Sequence, residues 1–166
     1  MASEITNGDN PRPRILFLDA FDSFSNNITS LLTTLLDAEV SILPIDSPIL
    51  TPSHSSTNLN GNHTPLGNND DVVLQNFARL LSRYDALVCG PGPGSPTISS
   101  DIGLMRLIWR LPEKDLLPVL GVCLGFQSLV HAFGGEVRRL RCGGLHGMIR
   151  EVVHSEGDVF AGVGRF

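Results

Sequence analysis

The alternation of short apolar runs with amphipathic segments is the feature that most limits how this chain can fold. Residues 14–19 form a continuous apolar run that ends in an acid. Continuous rather than alternating apolar residues are typical of a strand buried on both faces of a parallel sheet. Along residues 24–37 the apolar side chains recur at spacings of three and four, which predicts an amphipathic helix.

The same order, a strand and then a helix, continues along the chain. Apolar runs predict strands at residues 39–45, 85–89 and 116–122, with further strands at 136–140 and 147–153. Helical spacing recurs at residues 72–84, 101–111 and 124–133. Because strands and helices alternate, we predict an α/β fold in which helices cover both faces of a mostly parallel central sheet.

Two polar segments interrupt this pattern. Residues 1–13 predict a disordered leader, and residues 47–71 predict a disordered insertion. The insertion contains five Asn, four Ser and three Thr but no Lys, Arg or Glu. Such a composition offers too little apolar surface to offset the entropy of ordering the chain. We therefore place the folded domain at residues 14–166, interrupted by the insertion.

Composition excludes several classes of protein. The net charge is −5 and there is no long basic run, so nucleic acid is not an expected partner. The apolar runs fall far short of the roughly 18 residues that a membrane helix needs. The three cysteines are widely spaced and form no C-x-x-C pair, which indicates a reducing cytoplasm. No motif for a phosphate, a metal or another cofactor is present, so a nucleotide-binding role is weakly supported.

A G-x-C-x-G motif at residues 121–125 falls between a predicted strand and a predicted helix. It is the thiol counterpart of the G-x-S-x-G nucleophile elbow, in which flanking glycines permit a sharp turn. Cys123 would then stand at a helix N-terminus, where the dipole favours the thiolate, and the N–H of Leu124 would face a developing oxyanion. A buried structural cysteine at the end of a strand is the alternative.

A second unusual loop, at residues 90–96, interleaves three glycines with three prolines after the preceding strand. Its stiff backbone can approach a ligand closely, and the N–H groups of Gly92 and Gly94 can bind an anionic oxygen or an α-carboxylate. Ligands of open α/β sheets bind at the carboxyl ends of the strands. Two such loops at consecutive strand ends therefore predict one shared site, although a merely rigid connection is the alternative for this loop alone.

The chain resembles the class I glutamine amidotransferase family, whose fold is a flavodoxin-like three-layer α/β/α sandwich. Residues 121–127 (GVCLGFQ) resemble its nucleophile motif, and residues 89–96 (CGPGPGSP) resemble its oxyanion loop. Residues 18–27 (LDAFDSFSNN) resemble the D-x-x-D-S-F/Y start of one branch. That branch serves two enzymes that use chorismate, aminodeoxychorismate (p-aminobenzoate) synthase and anthranilate synthase. The resemblance extends from residue 14 to about residue 153.

The resemblance implies a role for each matching residue. Cys123 would attack the amide of glutamine and form a thioester, releasing ammonia. The backbone of Gly94 and Leu124 would form the oxyanion hole. The substrate would be held by Gly92, Pro93 and Gln127. The ammonia would then pass to a synthase domain or subunit that aminates chorismate.

Two departures from the family pattern qualify this expectation. Phe126 stands where the family usually has His, which favours a p-aminobenzoate synthase over an anthranilate synthase. The family's catalytic H-P-E does not occur in these 166 residues. We expect a C-terminally incomplete domain, inactive or impaired by itself; the alternative is a truncated fragment that binds glutamine or docks on a synthase without hydrolysis.

The five histidines are the possible substitutes for the missing base. His54 and His63 lie in the polar insertion, and His131 lies eight residues beyond the nucleophile. His146 precedes a glycine in a dipeptide that resembles a structural or interface element of the family. His154 has a glutamate two residues later but is followed by a predicted turn, so a solvated turn is favoured over a substitute dyad.

Overall fold

The computed structural model of the chain describes residues 11–48, 69–141, 151, 153 and 161. Within these ranges there are four strands: β1 (Arg14–Asp19), β2 (Glu39–Pro44), β3 (Ala86–Cys89) and β4 (Val119–Gly121). The α-helices there are α1 (Ser25–Leu36), α2 (Asn69–Leu81), α3 (Ser99–Ile102), α4 (Met105–Ile108) and α5 (Leu124–Ala132), with a short 3-10 helix at Glu113–Asp115.

The four strands form one parallel sheet in the order β2-β1-β3-β4. Leu18 near the end of β1 lies opposite Leu43 of β2 and Cys89 of β3. Cys89 in turn lies opposite Gly121, the last residue of β4. The carboxyl ends of the strands are therefore level, and the loops that follow β1, β3 and β4 leave the sheet at the same edge.

The core occupies both faces of the sheet. On one face, Phe17 and Val88 pack with Ile28 and Leu32 of α1. On the other face the buried side chains come from β1, β3 and the remaining α-helices: Leu16, Leu18, Phe77, Leu81, Leu87, Cys89, Ile102, Met105, Leu107, Ile108 and Leu124. The continuous apolar run of β1 is needed because Phe17 faces one layer of helices and Leu18 the other. The predicted α/β architecture, with helices on both faces of a parallel sheet, is confirmed.

The single helix predicted at residues 101–111 is wrong, since the structure has the two short helices α3 and α4. Gly103 separates them with a φ of +46°. Its Cα approaches the end of β2 so closely that an added Cβ would lie 2.2 Å from the carbonyl oxygen of Ile45. The same oxygen accepts a hydrogen bond from the N–H of Leu104 at 2.8 Å. The helix is therefore interrupted by a contact with a segment almost 60 residues earlier in the chain.

Other boundaries differ by smaller amounts. β4 is three residues long rather than seven, and residues 136–140 do not form the predicted strand. α2 begins at Asn69, so the last three residues of the predicted insertion are helical. Several predictions fall wholly or mostly outside the described residues: the leader at 1–10, the insertion at 49–68, the strand at 147–153, and the interpretations of His54, His63, His146 and His154.

Candidate active site

The loops after β1, β3 and β4 meet at the carboxyl edge of the sheet. Gly90, the first residue after β3, donates its N–H to the carbonyl of Leu18 at 2.9 Å. Val122, the first residue after β4, donates its N–H to the carbonyl of Cys89 at 2.9 Å. These hydrogen bonds extend the pairing of the strands into the loops, so both predicted motifs start from fixed positions beside each other.

Cys123 occupies a strained turn between β4 and α5. Its φ of 53° and ψ of −109° lie in a region that residues with a side chain rarely adopt. Such a conformation costs about 1–3 kcal/mol and persists only where the surroundings impose it. The residue is exposed and directly precedes α5, and its carbonyl accepts the N–H of Gln127 at 2.9 Å. This is the geometry that the G-x-C-x-G motif predicts for a nucleophile elbow.

The two glycines of the motif are required by close packing. A Cβ on Gly121 would lie 2.7 Å from the Cα of Phe126, in the first turn of α5. A Cβ on Gly125 would lie 2.2 Å from the carbonyl oxygen of Cys89, at the end of β3. Only the absence of both side chains lets the start of α5 lie directly against the sheet. Because the helix starts so close to the sheet, the backbone has to turn sharply at Cys123.

The two described cysteines have opposite environments. Cys89 is fully buried, and burial raises the pKa of its thiol to about 12. It therefore stays protonated at neutral pH and is a packing residue of β3. Cys123 is exposed and stands at the N-terminus of α5. The alternative given for Cys123, a buried structural cysteine, does not agree with its exposure.

The glycine- and proline-rich loop lies between the β1–α1 loop and α5. A Cβ on Gly92 would lie 2.6 Å from the Cβ of Ala20 and 2.9 Å from Cδ2 of Leu124. Two residues later, a Cβ on Gly94 would lie 2.4 Å from the Cβ of Asp101 in α3. The intervening Pro93 is exposed. The loop is thus in close contact with neighbouring segments at both glycines.

The β1–α1 loop is shaped by two carboxylates. Asp19 accepts the N–H of Phe21 at 3.1 Å and the hydroxyl of the buried Ser25 at 2.6 Å. Asp22 accepts the N–H of Phe24 at 2.8 Å. Acidic side chains that bind an amide two residues on are typical of tight turns. They hold the loop in the position where Ala20 contacts Gly92, a role for the D-x-x-D-S motif that sequence reasoning did not find.

The comparisons with known proteins agree with these motifs. The family model for Glutamine amidotransferase class-I matches residues 16–166. The chain belongs to this family. The likeness extends to the fold: the crystal structure of a proposed GMP synthase subunit from Thermoplasma acidophilum superposes on this amidotransferase chain with a TM-score of 0.58 at 17% identity, covering 93% of this chain and 61% of that one.

Curated relatives of this amidotransferase chain include two kinds of synthase. Aminodeoxychorismate synthase of Saccharomyces cerevisiae is 30% identical over 141 residues, which are 83% of this chain and 16% of the yeast protein. Anthranilate synthase component II of Haloarcula marismortui is 31% identical over 150 residues, which are 90% of this chain and 58% of that protein. The chain therefore spans about a sixth of the first relative and less than two thirds of the second.

Two of the predicted site residues of this amidotransferase, Gly92 and Leu124, are in contact. Leu124 contributes the first amide of α5, and its side chain is buried against Gly92. Gln127 lies in α5, and its backbone N–H donates to the carbonyl of Cys123 at 2.9 Å. Gly94 and Pro93 belong to the neighbouring loop.

His131 is not part of this group. It lies near the end of α5 and is exposed. Eight residues separate it from Cys123, which corresponds to about 12 Å along the helix axis. The interpretation of His131 as a helix-surface residue rather than a base is consistent with this placement. Among the described residues, no group of His, Cys, Asp and Glu is arranged to hold a metal ion, and no helix there is long and apolar enough to cross a membrane.

Proposed function

We propose that this domain hydrolyses glutamine through a thioester on Cys123 and supplies the ammonia to an enzyme that aminates chorismate. The observation that carries the proposal is the exposed Cys123, held in a strained turn at the start of α5 beside the Gly92–Gly94 loop. A strained, accessible thiol at a helix N-terminus favours nucleophilic chemistry over structural packing. Membership of the class I amidotransferase family supports the same activity.

In the proposed reaction, the thiolate of Cys123 attacks the side-chain amide carbon of glutamine. A carbon–sulfur bond forms, and the carbonyl oxygen becomes an oxyanion that accepts hydrogen bonds from the N–H groups of Gly94 and Leu124. The carbon–nitrogen bond then breaks, and the nitrogen leaves as ammonia after it takes up a proton. Water hydrolyses the thioester to give glutamate. Gly92, Pro93 and Gln127 hold the substrate in place.

The proposed reaction also needs a group that moves protons between the thiol, the leaving nitrogen and water. Among the described residues His131 is the sole histidine, and it lies too far from Cys123 to act directly. The family's H-P-E does not occur in the 166 residues. We therefore propose that the 166 residues alone turn over glutamine slowly or not at all, and that the active protein contains a His-Glu pair.

The proposed acceptor of the ammonia is the synthase domain or subunit of aminodeoxychorismate synthase, in the folate pathway. Phe126 supports this choice over anthranilate synthase, since the resemblance implies that some p-aminobenzoate synthases carry Phe at this position, where the family usually has His. Relatives of both kinds match the chain, so anthranilate synthase is the second candidate. Product analysis with glutamine and chorismate separates them, because one protein would form aminodeoxychorismate and the other anthranilate. The two cysteines in the described part of the chain are both free, which supports a cytoplasmic location.

The test uses the full-length protein with its synthase partner and measures glutamate release from glutamine. The variant Cys123→Ala should lower the turnover by at least about 1,000-fold, since it removes the nucleophile. Cys89→Ala is the matched control, because it removes a buried thiol next to the same loop and should leave turnover largely intact. Turnover that survives in Cys123→Ala would refute the assignment of the nucleophile. A wild-type protein that binds glutamine without turnover would support a non-hydrolytic binding role instead.

A further inference from the structure

We propose that Asp101 is a positioning residue that holds the Gly94 amide in place for the oxyanion. The inference rests on the proposed glutaminase function. Asp101 lies in α3, outside the motifs that carry the resemblance, and sequence reasoning assigned it no role. Its carboxylate reaches back six residues to the glycine- and proline-rich loop.

Asp101 contacts two consecutive residues of that loop. Its Oδ2 accepts the N–H of Ser95 at 2.8 Å in a partly buried hydrogen bond. Its Cβ lies so close to Gly94 that an added Cβ there would meet it at 2.4 Å and would meet Oδ2 at 3.0 Å. The hydrogen bond fixes the plane of the peptide between Gly94 and Ser95, because a peptide unit is rigid.

Fixing this peptide matters because glycine has little conformational preference of its own. Pro93 restricts the chain on the N-terminal side of Gly94 through its ring. On the C-terminal side, the dihedral angles of Gly94 would be free without an anchor. Asp101 supplies that anchor. The Gly94 N–H therefore lies between a proline and a peptide bound to a carboxylate, and its direction is set before substrate arrives.

The short helix that carries Asp101 is itself held to the sheet. Ile102 is buried in the core. Directly after it, Gly103 packs against the carbonyl of Ile45, which also accepts the N–H of Leu104 at 2.8 Å. Asp101 therefore lies on a turn whose position is fixed by contacts with the residue that follows β2. A carboxylate on such a turn can orient a neighbouring loop without touching the substrate.

The test uses the full-length protein with its synthase partner and compares three substitutions. Asp101→Ala removes the acceptor, Asp101→Asn keeps an acceptor oxygen in the same place, and Asp101→Glu keeps the charge but displaces the oxygen by one methylene. Glu113→Ala, an exposed acid on the 3-10 helix, is the control for loss of charge. Fluorescence of Trp109, the single tryptophan, verifies that each variant is folded.

Three measurements are made on each variant: hydrogen exchange at the Ser95 amide, the kcat and KM for glutamine, and the rate at which iodoacetamide alkylates Cys123. In Asp101→Ala and Asp101→Glu we expect faster exchange at Ser95 and a kcat lower by about 10- to 100-fold, because a displaced oxyanion donor loses much of its effect. KM should change little. Alkylation of Cys123 should be unchanged, since the thiol lies on the other loop. Asp101→Asn and Glu113→Ala should resemble the wild type.

Unchanged exchange at Ser95 in folded Asp101→Ala and Asp101→Glu would overturn the inference. Faster exchange with an unchanged kcat would overturn it as well, because the loop would then move without consequence for the reaction. A fall in Cys123 alkylation parallel to kcat would point to general disruption and count against positioning. A wild-type protein without turnover would overturn the proposed function and the catalytic consequence, while exchange at Ser95 would still decide whether Asp101 holds the loop.

Discussion

A single added methyl group at Gly125 provides the sharpest test of how the nucleophile turn is built. In Gly125→Ala the new Cβ would lie 2.2 Å from the carbonyl oxygen of Cys89 and 2.6 Å from its Cβ. Real Cβ contacts essentially never fall below 3.0 Å, so the helix and the strand must separate by at least 0.8 Å. Neither contact atom is the end of a flexible side chain. The separation must therefore come from the backbone.

The cost of that separation can be estimated from the surroundings. Cys89 is fully buried, and its strand is paired with β1 on one side and β4 on the other, so α5 is the element that has to move. Overpacking of this kind costs about 1–3 kcal/mol. Displacement of the turn also strains the hydrogen bond from Val122 to Cys89, which contributes about 1 kcal/mol. We expect the free energy of unfolding to fall by roughly 3 kcal/mol, summing these two effects.

Gly134→Ala is the matched control for this substitution. Gly134 follows α5 with a φ of +81°, and an added Cβ there would meet nothing within 4 Å. The substitution places the same methyl group in open space and costs only the left-handed backbone conformation, about 1–2 kcal/mol. The amount by which Gly125→Ala lowers the free energy of unfolding beyond Gly134→Ala then measures the close packing of α5 on β3.

Denaturant unfolding followed by Trp109 fluorescence measures both losses. The indole N–H of Trp109 donates to Ser128 in α5 at 2.9 Å, so its emission reports on the packing of that helix. Because α5 is displaced in Gly125→Ala, the alkylation rate of Cys123 should also change, whereas in Gly134→Ala it should not. An equal or smaller destabilisation in Gly125→Ala than in Gly134→Ala would refute the packing argument for the nucleophile turn.

Two further predictions concern buried groups. Burial raises the pKa of the Cys89 thiol from 9.0 to about 12, so between these values the folded state binds more protons than the unfolded state and stability falls as the pH rises. From pH 8 to pH 10 the free energy of unfolding of the wild type should fall by about 1.4 kcal/mol more than that of Cys89→Ala, as measured by denaturant unfolding. Equal decreases in the two proteins would contradict the raised pKa. Ser128→Ala removes the buried partner of the indole N–H of the partly buried Trp109, which should lower the free energy of unfolding by about 1 kcal/mol and shift the tryptophan emission. Unchanged emission and stability would exclude the hydrogen bond.

The elements that the sequence predicts well are those whose signal is local. The apolar run at β1 predicts its observed bounds, Arg14–Asp19, because burial on both faces of a sheet needs consecutive apolar residues. The turn at Cys123 is predictable because its two glycines and its place between strand and helix are all within five residues. Here the local pattern and the tertiary structure require the same residues.

The features that sequence reasoning misses depend on contacts between distant segments. The break between α3 and α4 arises where Gly103 meets Ile45, and no periodicity along residues 101–111 contains that information. The hydrogen bond from Ser95 to Asp101 depends on how the loop folds back on α3. The segment at residues 136–140 is predicted to be a strand but has no strand structure. A strand also needs a neighbouring strand to pair with, and the residues of one segment do not specify that neighbour.

Leu124 links the two loops of the proposed oxyanion hole. Its backbone N–H is one proposed donor, and its side chain, 1% exposed, lies against Gly92 in the loop that carries the other. The strained turn at Cys123 therefore orients the nucleophile and also seats Leu124 against the second loop. Since Gly92 also contacts Ala20, the position of that loop depends on the turn after β1 as well. The distance between the two donors is thus set by packing among three loops. A change in the loop after β1 or in the glycine- and proline-rich loop should therefore alter oxyanion binding before it alters the reactivity of the thiol.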